Sequence, residues 1–403
     1  MNMNLLGKIK RLKNEWMNDW RNPVFKVRYR RALLPVISEP LVLQDNGYSV
    51  THVSAFTYEN MGDCVLPLCL RKLFSDYLGV KCWHNGHIHK VIDNWDVRLI
   101  NHDDFLVIGG GGLFIKTPTK LIKDKLSGWQ WSCDIKHLLK IKKPIIMFAV
   151  GYNRFRGEEE FAPVFTEYIN KFVKKASFVG LRNHGSVEKV REYLQTQELK
   201  DKVCYQPCMT TLIAKLYEGF LDFDSKEDFI AINCAYDREK YRVDDHKRYT
   251  AIARAAKRLS EYTRIKMYMH KELDKQILAE LDKLKVVYEV VEFSTAEDVV
   301  RAYSKPRLVI GMRGHAQMIP FGCHTPILSI ISHDKMQWFL NDIHHPEWGV
   351  EINDDDFEDK LCQKAIYLYD NYKEAVSEIG KEQNLLWGIT MQNMKKIKEI
   401  LRW

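Results

Sequence analysis

The sequence predicts an α/β protein of two domains, each built on a doubly wound parallel sheet, facing one another across a cleft. Three observations predict it. At 403 residues the chain exceeds what one hydrophobic core usually organises. Short β-rich runs alternate with helical patterns, as parallel strands joined by crossover helices require. That rhythm then restarts after an acidic, glycine-containing break at Tyr217–Lys226. The apolar fraction of 46% and charged fraction of 28% are those of a globular chain, with no repeat and no low-complexity tract.

Residues 1–36 stand apart as a basic arm. Leu5, Leu6, Ile9, Leu12, Trp16 and Trp20 recur at helical spacing, with Lys8, Lys10, Arg11 and Lys13 between them. Such a helix suits an anionic membrane surface, and equally suits packing on the protein's own surface. The first Rossmann-like domain is expected over residues 37–216. Its strands are Val50–Phe56, Phe105–Ile108, Ile145–Val150 and Ser177–Gly180, and its helices Val65–Tyr77, Phe161–Lys175 and Gly185–Leu194. The second is expected over residues 217–403. Its strands are Phe229–Asn233, Ile265–Tyr268, Val286–Val291, Leu308–Gly311 and Ile327–Ile331, with helices at Asp245–Tyr262, Leu273–Lys283 and Ala316–Phe321.

Charge narrows the function classes. Of the formal +8, the arm carries nine Lys/Arg against two Asp/Glu, so the remainder is nearly neutral. A phosphate-tracking groove needs basic residues spread over the fold, so nucleic acid is not an expected partner. No run of about 18 apolar residues exists and no secretory apolar core opens the chain, which predicts a cytoplasmic protein. The nine cysteines include no CxxC pair and read as reduced, buried thiols.

Ligands of open α/β sheets bind beyond the carboxyl ends of the strands, so the residues there carry the functional reading. After the first strand come Asn60, Met61, Gly62 and Asp63, where Asp63 either caps the following helix or points into the cleft to act on a hydroxyl. After Phe105–Ile108 come Gly109, Gly110, Gly111 and Gly112, a stretch able to turn tightly or approach a ligand, without the spacing of a dinucleotide fingerprint. After the fourth strand come Arg182 and, at a helix start, Ser186. A guanidinium fork there suits a carboxylate or phosphate, and equally a surface ion pair. In the second domain Arg313, Gly314 and His315 join a strand to a helix, placing an anion contact two residues from a group that titrates near neutrality. Lys335 follows the next strand as a further candidate anion contact. His84, His87 and His89 are only loosely like a metal cluster, and no metal is expected.

Asn60-Met61-Gly62-Asp63, Val107 to Gly112, Gly180-Leu181-Arg182 with Ser186, Met312-Arg313-Gly314-His315 and Lys335 together resemble the ordered motifs of the polysaccharide pyruvyltransferase family, over about residues 50–345. The resemblance implies a fold like that of GT-B glycosyltransferases, phosphoenolpyruvate as co-substrate with no cofactor, and transfer of pyruvate to a sugar as a cyclic ketal. It implies anion-binding roles for Arg182, Arg313 and Lys335 and a general-acid role for His315. Two positions depart from the family. Cys208 follows Pro207 where an acid is frequent, and Gly314 stands where a larger aliphatic residue is common, which implies a wider pocket. A sugar acceptor is expected, and the basic arm suits a lipid-linked one at the inner face of the cytoplasmic membrane. Two alternatives stay open: a GT-B nucleotide-sugar glycosyltransferase, and a non-catalytic membrane-associated protein of glycan assembly.

Overall fold

The structure, a computed structural model, describes residues 47–56, 60–116 and 126–402, so the predicted arm over residues 1–36 lies outside the described residues. The first half carries strands β1 (Tyr48–Ser54), β2 (Val80–His87), β3 (Phe105–Gly109), β4 (Ile145–Val150), β5 (Phe178–Leu181) and β6 (Val203–Tyr205). Between them run helices α1 (Met61–Leu78), α2 (Asn94–His102), α3 (Ile135–Lys140), α4 (Pro163–Lys175), α5 (His184–Tyr193) and α6 (Gln197–Asp201). All pairings are parallel, in the order β2-β1-β3-β4-β5-β6.

A 3₁₀ turn (Met209–Leu212) and the short α7 (Ile213–Leu216) lead into the second sheet. It comprises β7 (Glu227–Asn233), β8 (Arg264–Met269), β9 (Glu289–Glu292), β10 (Pro306–Gly311), β11 (Ile327–Ile331) and β12 (Gly349–Glu351). Its helices are α8 (Lys247–Ser260), α9 (Gln276–Lys283), α10 (Ala296–Tyr303), α11 (His315–Gly322), α12 (Asp334–Asp342), α13 (Phe357–Asp370) and α14 (Tyr372–Leu401). This sheet is also parallel throughout, in the order β12-β11-β10-β7-β8-β9. Strand order reverses between β1 and β3 in the first sheet and between β7 and β10 in the second. Those reversals open the crevices where open α/β sheets take ligands.

Helices on both faces explain why β3, β4 and β11 are buried at every position and read as unbroken apolar runs. α4 starts on Pro163, whose fixed φ suits a first turn, and turns Phe165, Tyr168, Ile169, Phe172 and Val173 inward. Phe165 and Phe172 meet the fully buried Trp129, Phe114 and Trp131 edge to face. Such a buried aromatic side chain contributes about 2–3 kcal/mol of transfer free energy.

Several elements differ from their expected form. β2 was not expected: an edge strand half open to solvent carries Lys81, His84, Asn85 and His87 instead of an apolar run. β9 begins at Glu289 rather than Val286, because Lys285 takes φ +53° and the Val286 N–H bonds back to Leu281 O, closing α9. The 30-residue α14, also not expected, returns from the second sheet to the first. Its Asn393 Nδ2 donates to Tyr205 O at 2.9 Å, and Trp387 meets Tyr77 of α1 edge to face. Among the described residues no helix is long and apolar enough to cross a membrane.

At the crossing between the sheets, Gly322 ends α11 against the 3₁₀ turn, where a Cβ would lie 1.9 Å from Thr210 O. Backbone cannot yield as a side-chain tip does. Gly322→Ala is therefore expected to cost about 2–3 kcal/mol of stability in urea denaturation; an unchanged midpoint would mean that the two backbones are not in contact.

Candidate active site

The carboxyl ends of both sheets converge on one cavity of about 270 Å³, bordered by both strand-order reversals. Of the residues singled out in the sequence, Asn60, Asp63, Gly110, Gly111, Gly112, Arg182, Arg313, Gly314, His315 and Lys335 line it. Gly62 lies just behind the lining. Ser186 does not border the cavity: wholly buried, its hydroxyl accepts the Tyr152 N–H at 2.9 Å and so braces the loop after β4.

The sequence left Asp63 between two uses, and the local geometry separates them. Asn60 caps α1, its Oδ1 accepting the Gly62 N–H at 3.3 Å, while its Nδ2 donates to Asp63 Oδ2 at 2.7 Å. Asp63 is thereby spared the cap, and its Oδ1 faces His315 Nδ1 at 3.3 Å. Gly62 permits the approach, since a Cβ there would lie 2.5 Å from His315 Cβ. The Met61 N–H also donates to His270 O at 3.1 Å, tying the start of α1 to the end of β8.

Across from this pair, Arg182 extends from the end of β5, its side chain lying along Gly151, where a Cβ would sit 2.1 Å from Nε. It is 4% exposed, and its Nε has no hydrogen-bond partner among the described residues. Burial lowers its pKa from the usual arginine value, with Cys208 and Asp63 opposing. Lys335, in the first turn of α12, donates from Nζ to Asn153 Oδ1 at 2.6 Å. Burial, then Arg182 and Arg242, push its ammonium well below the usual lysine range.

Arg313, the expected anion contact, is already paired. Its Nε donates to Asp274 Oδ2 at 3.0 Å and its Nη2 to Oδ1 of the same carboxylate, while Nη1 lies 2.6 Å from Asp237 Oδ1. Two carboxylates already balance it. Against the penalty of burial, Arg242 and Arg313 hold Asp237 well below the usual carboxylate range. The neighbouring Gly314 leaves room: a Cβ there would make only ordinary contact, 3.7 Å from Lys335 Cε.

Four further charged lining groups escaped the sequence reading: Asp237, Arg238 and Arg242 beyond β7, and Lys271 beyond β8. Their position beyond strand ends was the available signal. Arg238 pairs with Glu158 at 2.6 Å, and Arg242 donates to Ser332 Oγ at 3.0 Å. With Arg182, Arg313 and Lys335 they give six cationic side chains on the lining against two carboxylates. Glu158 and Asp274, outside the lining, pair with Arg238 and Arg313, and the excess that remains favours a small anion.

The same field acts on His315. Burial first, then Arg182, Lys335 and Arg313, lower its pKa to about 3, so the imidazole is neutral at pH 7. Its Nε2 is buried without a hydrogen-bond partner among the described residues. In the unfolded chain the ring titrates near its ordinary value of about 6.5. As pH falls below that value the unfolded chain binds a proton that folded His315 refuses, so the stability supplied by the neutral ring is lost with falling pH. Relative to His315→Gln, the wild-type protein is expected to lose about 1.4 kcal/mol per pH unit between about pH 6 and pH 5. A difference constant with pH in urea denaturation would show that folded His315 accepts the proton.

Comparisons with known proteins agree with this architecture. Similar solved structures include the Anabaena protein HepE in complex with UDP and glucose, at 9% identity and TM-score 0.52, covering 88% of this chain and 99% of that one. They also include a Neisseria meningitidis UDP-GlcNAc 2-epimerase bound to UDP-GlcNAc, at 12% identity and TM-score 0.45, covering 85% and 99%. A third is a Thermobaculum terrenum O-GlcNAc transferase mutant, at 10% identity and TM-score 0.47, covering 93% and 70%. The likeness to HepE, at 9% identity, is one of fold alone, the GT-B-like pairing of two Rossmann-like domains. No curated protein matches the chain. The family model for polysaccharide pyruvyl transferases matches residues 8–334, and with most of the chain so covered the protein belongs to the polysaccharide pyruvyl transferase family.

Proposed function

We propose that the chain transfers pyruvate from phosphoenolpyruvate to two hydroxyls of one sugar, forming a cyclic ketal and releasing phosphate. The observation that carries this reading is the buried Arg182 guanidinium, its Nε without a hydrogen-bond partner among the described residues, lining one cavity with the Asp63–His315 pair. Phosphoenolpyruvate brings a carboxylate and a phosphate, the two groups a guanidinium fork and an ammonium recognise. Arg182 and Lys335 are the proposed direct contacts. Arg313, balanced by Asp237 and Asp274, is proposed to hold the turn that carries His315 and to add its field at short range.

In the free protein His315 is neutral, the wrong state for an acid. Burial and the field of Arg182 and Lys335 keep the proton off, and the donor's negative charges offset that field. Protonated His315 then delivers a proton from Nε2 to the donor's methylene carbon, and C2 becomes electrophilic. Asp63, facing Nδ1, fixes the ring and stabilises its charged form, as carboxylates oriented on histidines do. The first sugar hydroxyl adds to C2 and returns its proton to His315. Phosphate departs with the C–O bonding pair, and the second hydroxyl closes the ketal as its proton passes to the released phosphate. The cationic lining stabilises the anionic groups throughout. For the acceptor we propose a lipid-linked sugar at the inner membrane face, on the strength of the basic residues in the first 36 positions.

Purified protein incubated with phosphoenolpyruvate and a panel of lipid-linked sugars should release phosphate and yield a product heavier by one pyruvate less one water. A hexose-sized gain from a nucleotide sugar, with no reaction of phosphoenolpyruvate, would establish the glycosyltransferase alternative instead. His315→Gln is expected to lower kcat by about 10²–10⁴-fold. Near-normal phosphate release by that variant would remove His315 as the acid. Arg182→Lys, which loses the fork, is expected to raise the donor KM about tenfold or more. Deleting residues 1–36 should reduce activity on lipid-linked acceptors more than on soluble ones; equal loss on both would exclude a membrane role for the arm.

A further inference from the structure

The histidine-rich stretch of β2 lies away from the cleft, and among the described residues no three His, Cys, Asp or Glu side chains gather as a metal-ligand set. One of its members takes part in a different arrangement. Strand alternation puts Cys82 and His84 on the same face of β2. Cys82 Sγ lies 3.6 Å from His84 Nε2. His84 Nδ1 in turn lies 2.8 and 2.9 Å from the two carboxylate oxygens of Asp103, which follows α2. Asp103 is wholly buried and is held on its other side by the Thr51 hydroxyl, which donates to Oδ2 at 2.5 Å.

A thiol, an imidazole and a buried carboxylate in this order have the geometry that activates nucleophilic cysteines. Asp103 directs Nδ1–H towards itself and leaves Nε2 to take the thiol proton. The Asp103 hydrogen bond also raises the pKa of His84, which favours an imidazolium beside sulfur. Cys82 is partly exposed, and the His84 side chain is 39% exposed. Cys64 and Cys204 are also partly exposed, and the other six cysteines are buried. Burial pushes the thiols of Cys64 and Cys323 up to about 12 and that of Cys362 to about 11. It likewise raises those of Cys69, Cys133, Cys204, Cys208 and Cys234.

We infer that Cys82 is a nucleophilic thiol, activated by the His84–Asp103 pair, and a site of covalent modification by small-molecule disulfides. In the step, the Cys82 proton passes to His84 Nε2 and the sulfur attacks one sulfur of the disulfide. The S–S bond breaks, a mixed disulfide forms on Cys82, and the departing thiolate takes the proton from His84. One thiol and one disulfide enter; one mixed disulfide and one thiol leave.

The test incubates the full chain with oxidised glutathione near neutral pH and maps mixed disulfides by peptide mass over time. Cys82 should be modified before any other cysteine, about tenfold faster than free cysteine under the same conditions. His84→Gln should return that rate to near the free-cysteine value. First modification at another cysteine, a wild-type Cys82 rate no greater than that of free cysteine, or a rate indifferent to His84→Gln would each overturn the inference. The comparison with free cysteine uses the wild-type protein alone, so it decides the matter even if the variant fails to fold.

Discussion

Uncompensated positive charge in the cleft is the constraint around which the site is organised. Burying a guanidinium without an anion is costly, and breaking a buried pair costs several kcal/mol because it leaves one such charge behind. The protein holds both kinds of buried arginine within one cavity. Arg313 sits between Asp237 and Asp274, balanced and fixed. Arg182 lies along Gly151, its Nε without a partner among the described residues. Burial first, and then the field of Arg182 and its cationic neighbours, depress the pKa of Lys335 and keep His315 neutral, and the donor contacts proposed above lie on the Arg182 side of the cleft.

The fold makes such an arrangement sustainable. Two parallel sheets present their carboxyl ends to each other, so residues from β1, β3, β5, β7, β8, β10 and β11 reach one cavity without any long excursion of the chain. Glycines at Gly62 and Gly151 remove the side-chain bulk that would separate α1 from His315, or lift the Arg182 guanidinium from the backbone beneath it. Rigid elements, rather than loops, therefore set the spacing between His315 and its carboxylate. Such preorganisation is what electrostatic catalysis depends on.

Much of this was legible in the sequence, because a periodicity of strands and helices fixes where strand ends fall, and strand ends fix where chemistry gathers. The two sheets and the glycine run after β3 follow from that rule, which also put Asp63, Arg182, His315 and Lys335 at strand ends while leaving Asp63 open to capping and Arg182 open to a surface ion pair. Other features follow only from tertiary contact. Of the two carboxylates that balance Arg313, Asp274 lies 39 residues away on a different strand connection, and no local pattern announces it. Asp237, Arg238, Arg242 and Lys271 also stand beyond strand ends, without a distinguishing motif beside them. The edge strand β2 and the long α14 were hidden for opposite reasons, one too polar to read as a strand and the other defined by its return to a distant surface.

The proton state of His315 joins the electrostatics of the cleft to the chemistry proposed for it. Titration calorimetry of phosphoenolpyruvate near pH 7, repeated in buffers of different ionisation enthalpy, reports whether protons move as the donor binds. With His315 at about 3 in the free protein and raised by the donor's charge, binding should take up about one proton per donor, and His315→Gln should bind without that uptake. Donor binding to the wild-type protein with no net proton exchange would contradict the coupling of Arg182, His315 and the donor on which the mechanism rests.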